Sequence, residues 1–268
     1  MDAQERQKLF DQAKEWVLQA GRHIRDVIDE PLEIDTKSNP NDLVTHMDRN
    51  TEQFFIEKIK QHYPTHNIIS EEGYGDQLDT LKNSTVWIID PIDGTMNFVH
   101  QKRNFAISVG IFEDSVGEIG IIYDVMEDVL YTAIRGEGAY KDNQELPPLD
   151  PNLSLDESIC IINSFWACEN PKINGKKIQE LIKKVRGTRS YGSAALEFAY
   201  VAEGIADSYI TMRLAPWDIA AGIVLINEVG GNITRADGTK LDLLVNNTIL
   251  VANQAIHEQI QNDYIELK

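Results

Sequence analysis

Residues 87–98 read WIIDPIDGTMNF, and this stretch decides the fold and the chemistry that we expect. The apolar run 86–89 predicts a short buried strand that ends at Asp90. Asp93 follows three residues later, so a single turn can aim both carboxylates at a common point. Hard divalent cations prefer oxygen ligands, and Mg²⁺ takes one or two carboxylates while it keeps water and substrate phosphate. The stretch therefore predicts a strand that delivers a Mg²⁺ site at its end.

The residues that follow Asp93 suit an anion next to the metals. Gly94 lets the backbone approach a ligand closely, and Thr95 to Asn97 can open a helix whose amides face a phosphate. An ordinary Asp-Gly turn with a capping aspartate is the competing interpretation, and it would be preferred for an isolated pair. The whole twelve-residue arrangement favours the metal and phosphate site.

Three further acids stand where strands or helices are predicted to begin or end. Glu71 and Glu72 follow an apolar pair and precede a glycine, where a metal ligand and a solvated surface pair are equally reasonable. Asp218 lies in the first turn of a predicted helix, where the helix dipole, worth about 0.3–1 kcal/mol, is enough to explain an aspartate. Taken singly, none of these acids establishes a site.

The first half of the chain predicts two helices and an antiparallel sheet. In both helical stretches apolar residues recur at intervals of three and four, and a proline lies shortly beyond the end. The predicted helices cover 4–28 and 48–62, and the predicted antiparallel strands cover 105–112, 116–123 and 129–134. A hairpin turn at 136–138 is preferred to a phosphate-binding loop, because no βαβ pattern surrounds it.

The proline-rich stretch 146–152 is the best candidate boundary between two halves. Beyond it the predicted strands cover 158–163, 207–212 and the surroundings of residues 233 and 249, and the predicted helices cover 176–185, 194–202 and 217–229. We therefore predict an α/β (α+β) protein with an N-terminal half at 1–147, which carries most of the metal ligands, and a C-terminal half at 148–268.

Composition narrows the classes of function. The chain has 268 residues, of which 42% are hydrophobic, so a packed core is expected, and its formal net charge is −18. Such an acidic balance repels a phosphate backbone, so we expect no direct nucleic-acid binding. No apolar run is long enough to cross a bilayer, and the N-terminus lacks the apolar segment of a signal peptide. A cytoplasmic location follows as the default expectation.

Two long motifs now suggest a family. WIIDPIDGTMNF, together with PWDIAAG at 216–222, resembles the two signatures of the inositol monophosphatase family. The similarity also includes KSNPNDLVTHMD at 37–48 and IISEEG at 68–73, in the same order, and extends over roughly residues 8–255. This resemblance implies a Mg²⁺-dependent, lithium-sensitive phosphatase with two or three Mg²⁺ per site. It also implies a layered αβαβα sandwich that is commonly assembled as a homodimer.

The resemblance implies a role for each residue that matches a family motif. The implied metal ligands are Glu71, Asp90, Asp93, Asp218 and the carbonyl oxygen of Ile92, with Asp218 also touching the substrate. Thr95 and Asp48 match the pair that activates the attacking water, and Glu72 matches an acid that supports a further metal. Water would then attack phosphorus directly, without a covalent intermediate.

Other matching positions imply substrate contacts. The amides of Gly94 and Thr95 would hold phosphate oxygens, and Gly192-Ser193-Ala194 would meet the alcohol part of the substrate. Lys37 matches a basic residue near the metals.

Substrate choice is open at this point. Many family members that favour inositol phosphates carry a glutamate seven residues before the aspartate of the second motif, and this chain has Thr211 there. Arg213, two residues on, could hold a second anion, although a surface arginine paired with one of the many acids is an equal alternative. Inositol monophosphate is the first expectation. The alternatives are the 2′-phosphate of NADP, fructose 1,6-bisphosphate and 3′-phosphoadenosine phosphate.

A function from a different class is a non-catalytic protein that keeps the fold to bind another macromolecule. A site degraded by apolar replacements would favour it. All the acids that the motifs require are present, which favours an enzyme.

Overall fold

The computed structural model describes residues 1–36 and 43–268. Its α-helices are Ala3–Val27 (α1), His46–His62 (α2), Thr95–Gln101 (α3), Gly175–Lys184 (α4), Ala194–Glu203 (α5), Pro216–Glu228 (α6) and Gln254–Tyr264 (α7). Its strands are Ile34–Thr36 (β1), Leu43–Thr45 (β2), Asn67–Ser70 (β3), Thr85–Asp93 (β4), Ala106–Glu113 (β5), Val116–Asp124 (β6), Val129–Ile134 (β7), Gly138–Lys141 (β8), Gln144–Glu145 (β9), Ile159–Ile162 (β10), Gly187–Arg189 (β11), Ser208–Leu214 (β12), Asn232–Thr234 (β13) and Asn247–Ala252 (β14).

Two larger sheets organise these strands. The first has seven strands in the order β3-β4-β5-β6-β7-β8-β9, and only β3 and β4 within it are parallel. The second has five strands in the order β11-β10-β12-β14-β13, with β10 parallel to both of its neighbours. The strands β1 and β2 form a separate antiparallel pair.

Helices cover both faces of both sheets. In the first core cluster, α1 and α2 pack on one face of the seven-stranded sheet, where Trp16 stacks on Trp87 and Phe55 belongs to the same cluster. In the second, α5 and α6 fill the space between the two sheets. In the third, α4 and α7 cover the outer face of the five-stranded sheet. The order of layers is therefore αβαβα, and the predicted fold class is confirmed.

Strand β4 shows why its sequence is apolar without alternation. Trp87 and Ile89 belong to the cluster beneath α1 and α2, whereas Val86 and Ile88 belong to the cluster between the sheets. A strand that is buried on both faces needs an apolar side chain at every position. The strand therefore runs through the interior and emerges only at its acidic end.

The central helix α6 lies unusually close to the seven-stranded sheet. A Cβ atom at Gly120 would stand 2.5 Å from the carbonyl oxygen of Ala221, and one at Gly110 would stand 2.6 Å from Cβ of Ala220. On the other side, a Cβ at Gly222 would stand 2.4 Å from the ring of Phe198 in α5. Small residues thus set how closely α6 approaches the sheet and α5. Helix α6 carries Asp218 in its first turn.

Most predicted elements are present within one to three residues of their predicted ends, and the 136–138 hairpin is confirmed. Helix α2 begins at His46 rather than at Asp48, because Thr45 caps it and Asp48 completes a capping box. Helix α7 was not predicted, since its polar sequence shows only Ile256 and Ile260 as an apolar pair. Strand β11, a short edge strand without an apolar run, was also missed.

The division into halves at 147/148 stays a prediction. The seven-stranded sheet ends at Glu145 and the five-stranded sheet begins at Ile159, but α5 and α6 from the second half pack against the first sheet. Within 1–36 and 43–268, none of the helices combines the length and the apolar character that a bilayer span requires.

The close contact at Gly120 leads to a stability prediction. Gly120→Ala should lower the free energy of unfolding by about 1–3 kcal/mol, because its methyl group would push α6 away from the sheet. Urea denaturation measures this change. Gly187→Ala, also in a strand but with its nearest neighbour 3.5 Å from the added Cβ, should change stability by less than about 0.5 kcal/mol. Equal effects of the two changes would contradict the close packing of α6.

Candidate active site

Three aspartates converge at the end of β4. One carboxylate oxygen from each of Asp90, Asp93 and Asp218 lies within 4.8 Å of the other two. Asp90 and Asp93 come from the last residues of β4, and Asp218 comes from the first turn of α6. The sequence predicted this convergence of two motifs that are more than a hundred residues apart.

Local backbone geometry explains how β4 presents both of its acids. In a regular strand, residues three positions apart point to opposite faces. The pairing of β4 with β5 shifts register between Asp90 and Asp93, and the Asp90 Oδ1 accepts a hydrogen bond from the Ile92 N–H at 3.0 Å. This irregularity turns the chain so that both carboxylates reach one point.

Glu71 joins the same cluster from the end of β3. It shares a hydrogen bond with Asp90, and its charge also acts on Asp218. The Asp218 carboxylate itself accepts the Ala215 N–H at 2.7 Å, which holds it in the first turn of α6. The four proposed acidic ligands therefore lie in one cluster, as the motifs required.

The electrostatics of this cluster are unfavourable without a cation. Burial, followed by the charges of Glu71, Asp93 and Asp218, raises the pKa of Asp90 well above its usual range. Burial also raises the pKa of Asp93 to about 7, although hydrogen bonds from Ser193 and Ala195 oppose the shift. The pKa of Asp218 is raised by burial and then by Asp93 and Glu71. Each carboxylate makes its neighbours harder to ionise.

The donor set fits Mg²⁺. Every proposed ligand atom is a hard oxygen, and Asp90, Asp93 and Asp218 form no ion pair with residues 1–36 or 43–268. Burying even one unpaired carboxylate costs several kcal/mol. A divalent cation would offset that cost and favour the ionised form of every acid in the cluster.

Thr95 and Asp48 meet beside this cluster. The Thr95 Oγ1 lies 3.0 Å from Asp48 Oδ1 and 3.1 Å from the carbonyl oxygen of Ile92. Either of these two oxygens can accept a hydrogen bond from the Thr95 hydroxyl. The other oxygen of Asp48 accepts the Thr45 N–H at 2.8 Å, and Asp48 is fully buried at the start of α2. Glu72 lies next to Glu71, and its N–H donates to Glu52 Oε2 at 2.6 Å.

The predicted phosphate segment begins with a glycine in a left-handed conformation. Gly94 has φ +95° and precedes the first residue of α3, and a Cβ there would stand 3.2 Å from atoms of Asn104, Gly192 and Ser193. Only glycine adopts this backbone conformation at low cost. The chain therefore turns sharply after Asp93 and places the Thr95 hydroxyl beside Asp48 and the carbonyl oxygen of Ile92.

The segment Gly192-Ser193-Ala194 lies directly against Asp93. The Ser193 hydroxyl and the Ala195 N–H both donate to Asp93 Oδ2, the latter at 2.7 Å. Asp93 thus holds the start of α5 with one oxygen. The carboxylate cluster and the predicted alcohol-contacting segment are therefore in direct contact.

Thr211 and Arg213 line a separate, open cavity of about 620 Å³ at the end of β12. The cavity lining is Asn163, Phe165, Trp166, Pro171, Lys172, Thr211 and Arg213. Neither of its two cations forms an ion pair with the described residues, although acids outnumber bases in this chain by 43 to 25. The alternative of an arginine paired with a surface acid finds no support in the described residues.

Some relevant residues were not found from sequence, and one prediction lies outside the described residues. Lys37 falls in the undescribed segment 37–42. Phe165, Trp166 and Lys172 were missed because they lie in an irregular segment without a motif. Glu52 was missed too, although its spacing places it on the buried face of α2, between Asp48 and Phe55.

Comparisons with known proteins point to one family. The model of the inositol monophosphatase family matches residues 5–266. Inositol-1-monophosphatase of Bacillus subtilis is 54% identical over 256 residues, which are 96% of this chain and 96% of that protein.

Solved structures show the same similarity. Inositol monophosphatase-II of Staphylococcus aureus with inositol monophosphate bound has 42% identity and a TM-score of 0.86, covering 96% of this chain and 93% of that one. With 2′-AMP bound, the corresponding values are 43%, 0.88, 96% and 94%. An inositol monophosphatase/NADP phosphatase in complex with Mg²⁺ and phosphate has 28% identity and a TM-score of 0.88, covering 98% and 99%.

The crowding of carboxylates leads to a prediction for the metal-free protein. Asp90→Asn should raise the thermal midpoint of chelator-treated protein by about 2–4 °C, equivalent to about 1 kcal/mol, because it removes one buried charge from the cluster. It should also abolish most of the increase in midpoint that Mg²⁺ produces in the wild type. Calorimetry with and without Mg²⁺ measures both effects.

Asp79→Asn, at an exposed aspartate, is the matched control and should change neither value. A wild-type midpoint that does not respond to millimolar Mg²⁺ would argue against a metal site at this cluster.

Proposed function

The chain belongs to the inositol monophosphatase family, and from this premise we propose that it hydrolyses inositol monophosphate and related small phosphate monoesters with the help of Mg²⁺. The comparisons support a phosphatase that acts on inositol monophosphate. The observation that carries the proposal is the convergence of Asp90, Asp93 and Asp218 within 4.8 Å, with Glu71 in contact. The proposed metal ligands are Glu71, Asp90, Asp93, Asp218 and the carbonyl oxygen of Ile92.

The chain's own residues would perform the positioning and the proton transfer. When bound, Mg²⁺ supplies positive charge that acidifies the attacking water and neutralises the phosphate oxygens and the departing alkoxide. Thr95 would orient this water, and its contact with Asp48 gives the water's proton a route to a carboxylate. The P–O bond to the alcohol would break as the new P–O bond forms, the alkoxide would take up a proton from a solvent water, and the carboxylate would return its proton to solvent. Glu72, beside Glu71, is proposed to support a further metal.

Substrate binding would use the two segments that flank the metal cluster. The amides of Gly94 and Thr95 would hold phosphate oxygens, and Gly192 to Ala194 would meet the hydroxyl groups of the alcohol. Asp218 would contact the substrate as well as a metal. Two or three Mg²⁺ per site, a homodimer, a cytoplasmic location and the absence of nucleic-acid binding stay predictions.

A second candidate function is a preference for nucleotides or other substrates with a second anion. The cavity beyond Thr211 supports it, because Arg213 and Lys172 have no ion-pair partner within residues 1–36 and 43–268, and Phe165 exposes 54% of its surface there. The ring centroids of Phe165 and Trp166 lie 5.1 Å apart and the ring planes meet at 77°, so one of the two rings could stack on a base. A relative binds 2′-AMP. A bisphosphate sugar would use the cations alone, whereas NADP or 3′-phosphoadenosine phosphate would use both features.

The first prediction from this proposal concerns Asp93. Asp93→Asn should lower Mg²⁺-dependent phosphate release from inositol monophosphate at least about 100-fold, because it removes a charged ligand from the cluster. Its circular dichroism should match the wild type, since the amide oxygen can still accept from Ser193 and Ala195. Turnover like that of the wild type would remove Asp93 from the ligand set.

The second prediction separates the two candidate substrate classes. Arg213→Ala should raise KM for 3′-phosphoadenosine phosphate and fructose 1,6-bisphosphate about tenfold, the loss of roughly one charge-assisted hydrogen bond, and leave KM for inositol monophosphate within about twofold. Arg22→Ala, on the exposed side of α1, is the control and should change neither. Equal effects on all three substrates would show that Arg213 has no selective role.

A further inference from the structure

Three buried glutamates lie outside the proposed ligand set, and one of them, Glu118, is paired with Arg6 and Arg135. Glu52 in α2 is fully buried and Glu197 in α5 is 6% exposed. Neither forms an ion pair with any described residue, and each accepts hydrogen bonds from three donors. A buried carboxylate without a cation persists only where such donors compensate its lost hydration. The identity of the donors therefore shows what each glutamate holds in place.

Glu52 holds the loop that carries Glu71. Its Oε1 accepts the Ser70 hydroxyl at 2.7 Å and the Tyr74 N–H at 2.9 Å, and its Oε2 accepts the Glu72 N–H at 2.6 Å. These donors flank Glu71 on both sides. Through Glu52, helix α2 thus holds the backbone on both sides of Glu71, the proposed metal ligand.

Glu197 holds the turn that precedes the alcohol-contacting segment. Its Oε1 accepts the Tyr191 N–H at 2.7 Å and the Gly192 N–H at 3.1 Å, and the buried phenol of Tyr209 donates to the same carboxylate. The turn is held from the opposite side as well, because Asn97 of α3 donates to the Tyr191 carbonyl oxygen at 2.7 Å.

This arrangement links the two ends of the substrate. Helix α3 begins directly after Gly94, at the proposed phosphate position, and α5 begins at the proposed alcohol position. The Tyr191–Gly192 turn lies between them and is fixed to both. Gly192 itself has φ +82°, and a Cβ there would stand 3.0 Å from the Asn97 amide nitrogen, so the turn has little freedom to adjust.

We propose that Glu52 and Glu197 are positioning residues with separate tasks: Glu52 sets the geometry of the metal-ligand loop, and Glu197 sets the distance between the phosphate position and the alcohol-contacting segment. The inference rests on the proposed function for the identity of metal and substrate. Because the two glutamates act on different loops, their variants should fail in different measurements.

The test of Glu52 is Mg²⁺ binding, measured by isothermal titration calorimetry on the full chain. Glu52→Gln should raise the Kd for Mg²⁺ about 10-fold or more, because the amide nitrogen would face an N–H or O–H donor that now needs an acceptor. Glu57→Gln, at an exposed glutamate of the same helix, is the matched control and should leave the Kd unchanged. A Kd for Glu52→Gln within twofold of the wild type would overturn this half of the proposal.

The test of Glu197 compares inositol monophosphate with phenyl phosphate, whose phenyl group carries no hydroxyl group. Glu197→Ala should raise KM for inositol monophosphate about tenfold and leave that for phenyl phosphate and the Kd for Mg²⁺ within about twofold. Glu197→Gln, unlike Glu197→Ala, should keep the wild-type KM for inositol monophosphate. The Tyr191 and Gly192 N–H groups both donate to Oε1, and the glutamine side chain retains this oxygen. A KM increase shared equally by both substrates, or no increase, would overturn this half.

Two further measurements keep the test decisive. If Glu52→Gln or Glu197→Ala does not fold, Glu52→Asp and Glu197→Asp withdraw the carboxylate by one methylene and should show the same two separate defects. Calorimetric binding of inositol monophosphate in Ca²⁺ reads the Glu197 effect without turnover. A wild type that binds Mg²⁺ and substrate but releases no phosphate would refute the proposed function alone, whereas active wild type with unaffected variants would refute the positioning roles alone.

Discussion

The mutual repulsion of buried carboxylates is the constraint on which the rest of this structure depends. The buried Asp90 and Asp93 and the half-buried Asp218 bring oxygens within 4.8 Å of one another, with Glu71 in contact, and loss of hydration makes the charges of the three aspartates more costly. A folded chain tolerates such a cluster only if the scaffold is stable enough to hold the acids together until a cation arrives. The αβαβα layers supply that stability, because the acids stand where apolar elements leave the core.

The scaffold meets this demand with a small number of rigid parts. Strand β4 is buried on both faces and can move neither sideways nor along its axis without opening two cores. Helix α6 lies between the two sheets and contacts both through apolar side chains. The loops near the cluster donate hydrogen bonds to two buried glutamates, Glu52 of α2 and Glu197 of α5, and these bonds hold the loops as apolar contacts hold the strand and the helix. Apolar packing therefore holds β4 and α6 in place, and hydrogen bonds to buried glutamates hold the loops.

Much of this arrangement could be predicted from the sequence, for identifiable reasons. The stretch 87–98 combines an apolar run, two acids and a glycine, and each of these has a local physical meaning that does not depend on the rest of the fold. Asp218 became informative only beside the first motif, since a helix dipole explains it equally well.

Helix α7 was missed because its two apolar residues give too weak a periodic signal. The roles of Glu52 and Glu197 could not be predicted, because their donors come from loops whose course is set by tertiary structure. The aromatic and cationic cavity likewise exists only when the segment 163–172 folds against the end of β12, which is distant in sequence. The central layer, formed by α5 and α6, has a sheet on each side, and this also limits where the scaffold can change its substrate specificity. Any outward shift of α6 would disturb its packing against both sheets at once, so the segment 163–172 at the periphery can change with less cost to the core than the carboxylate cluster can.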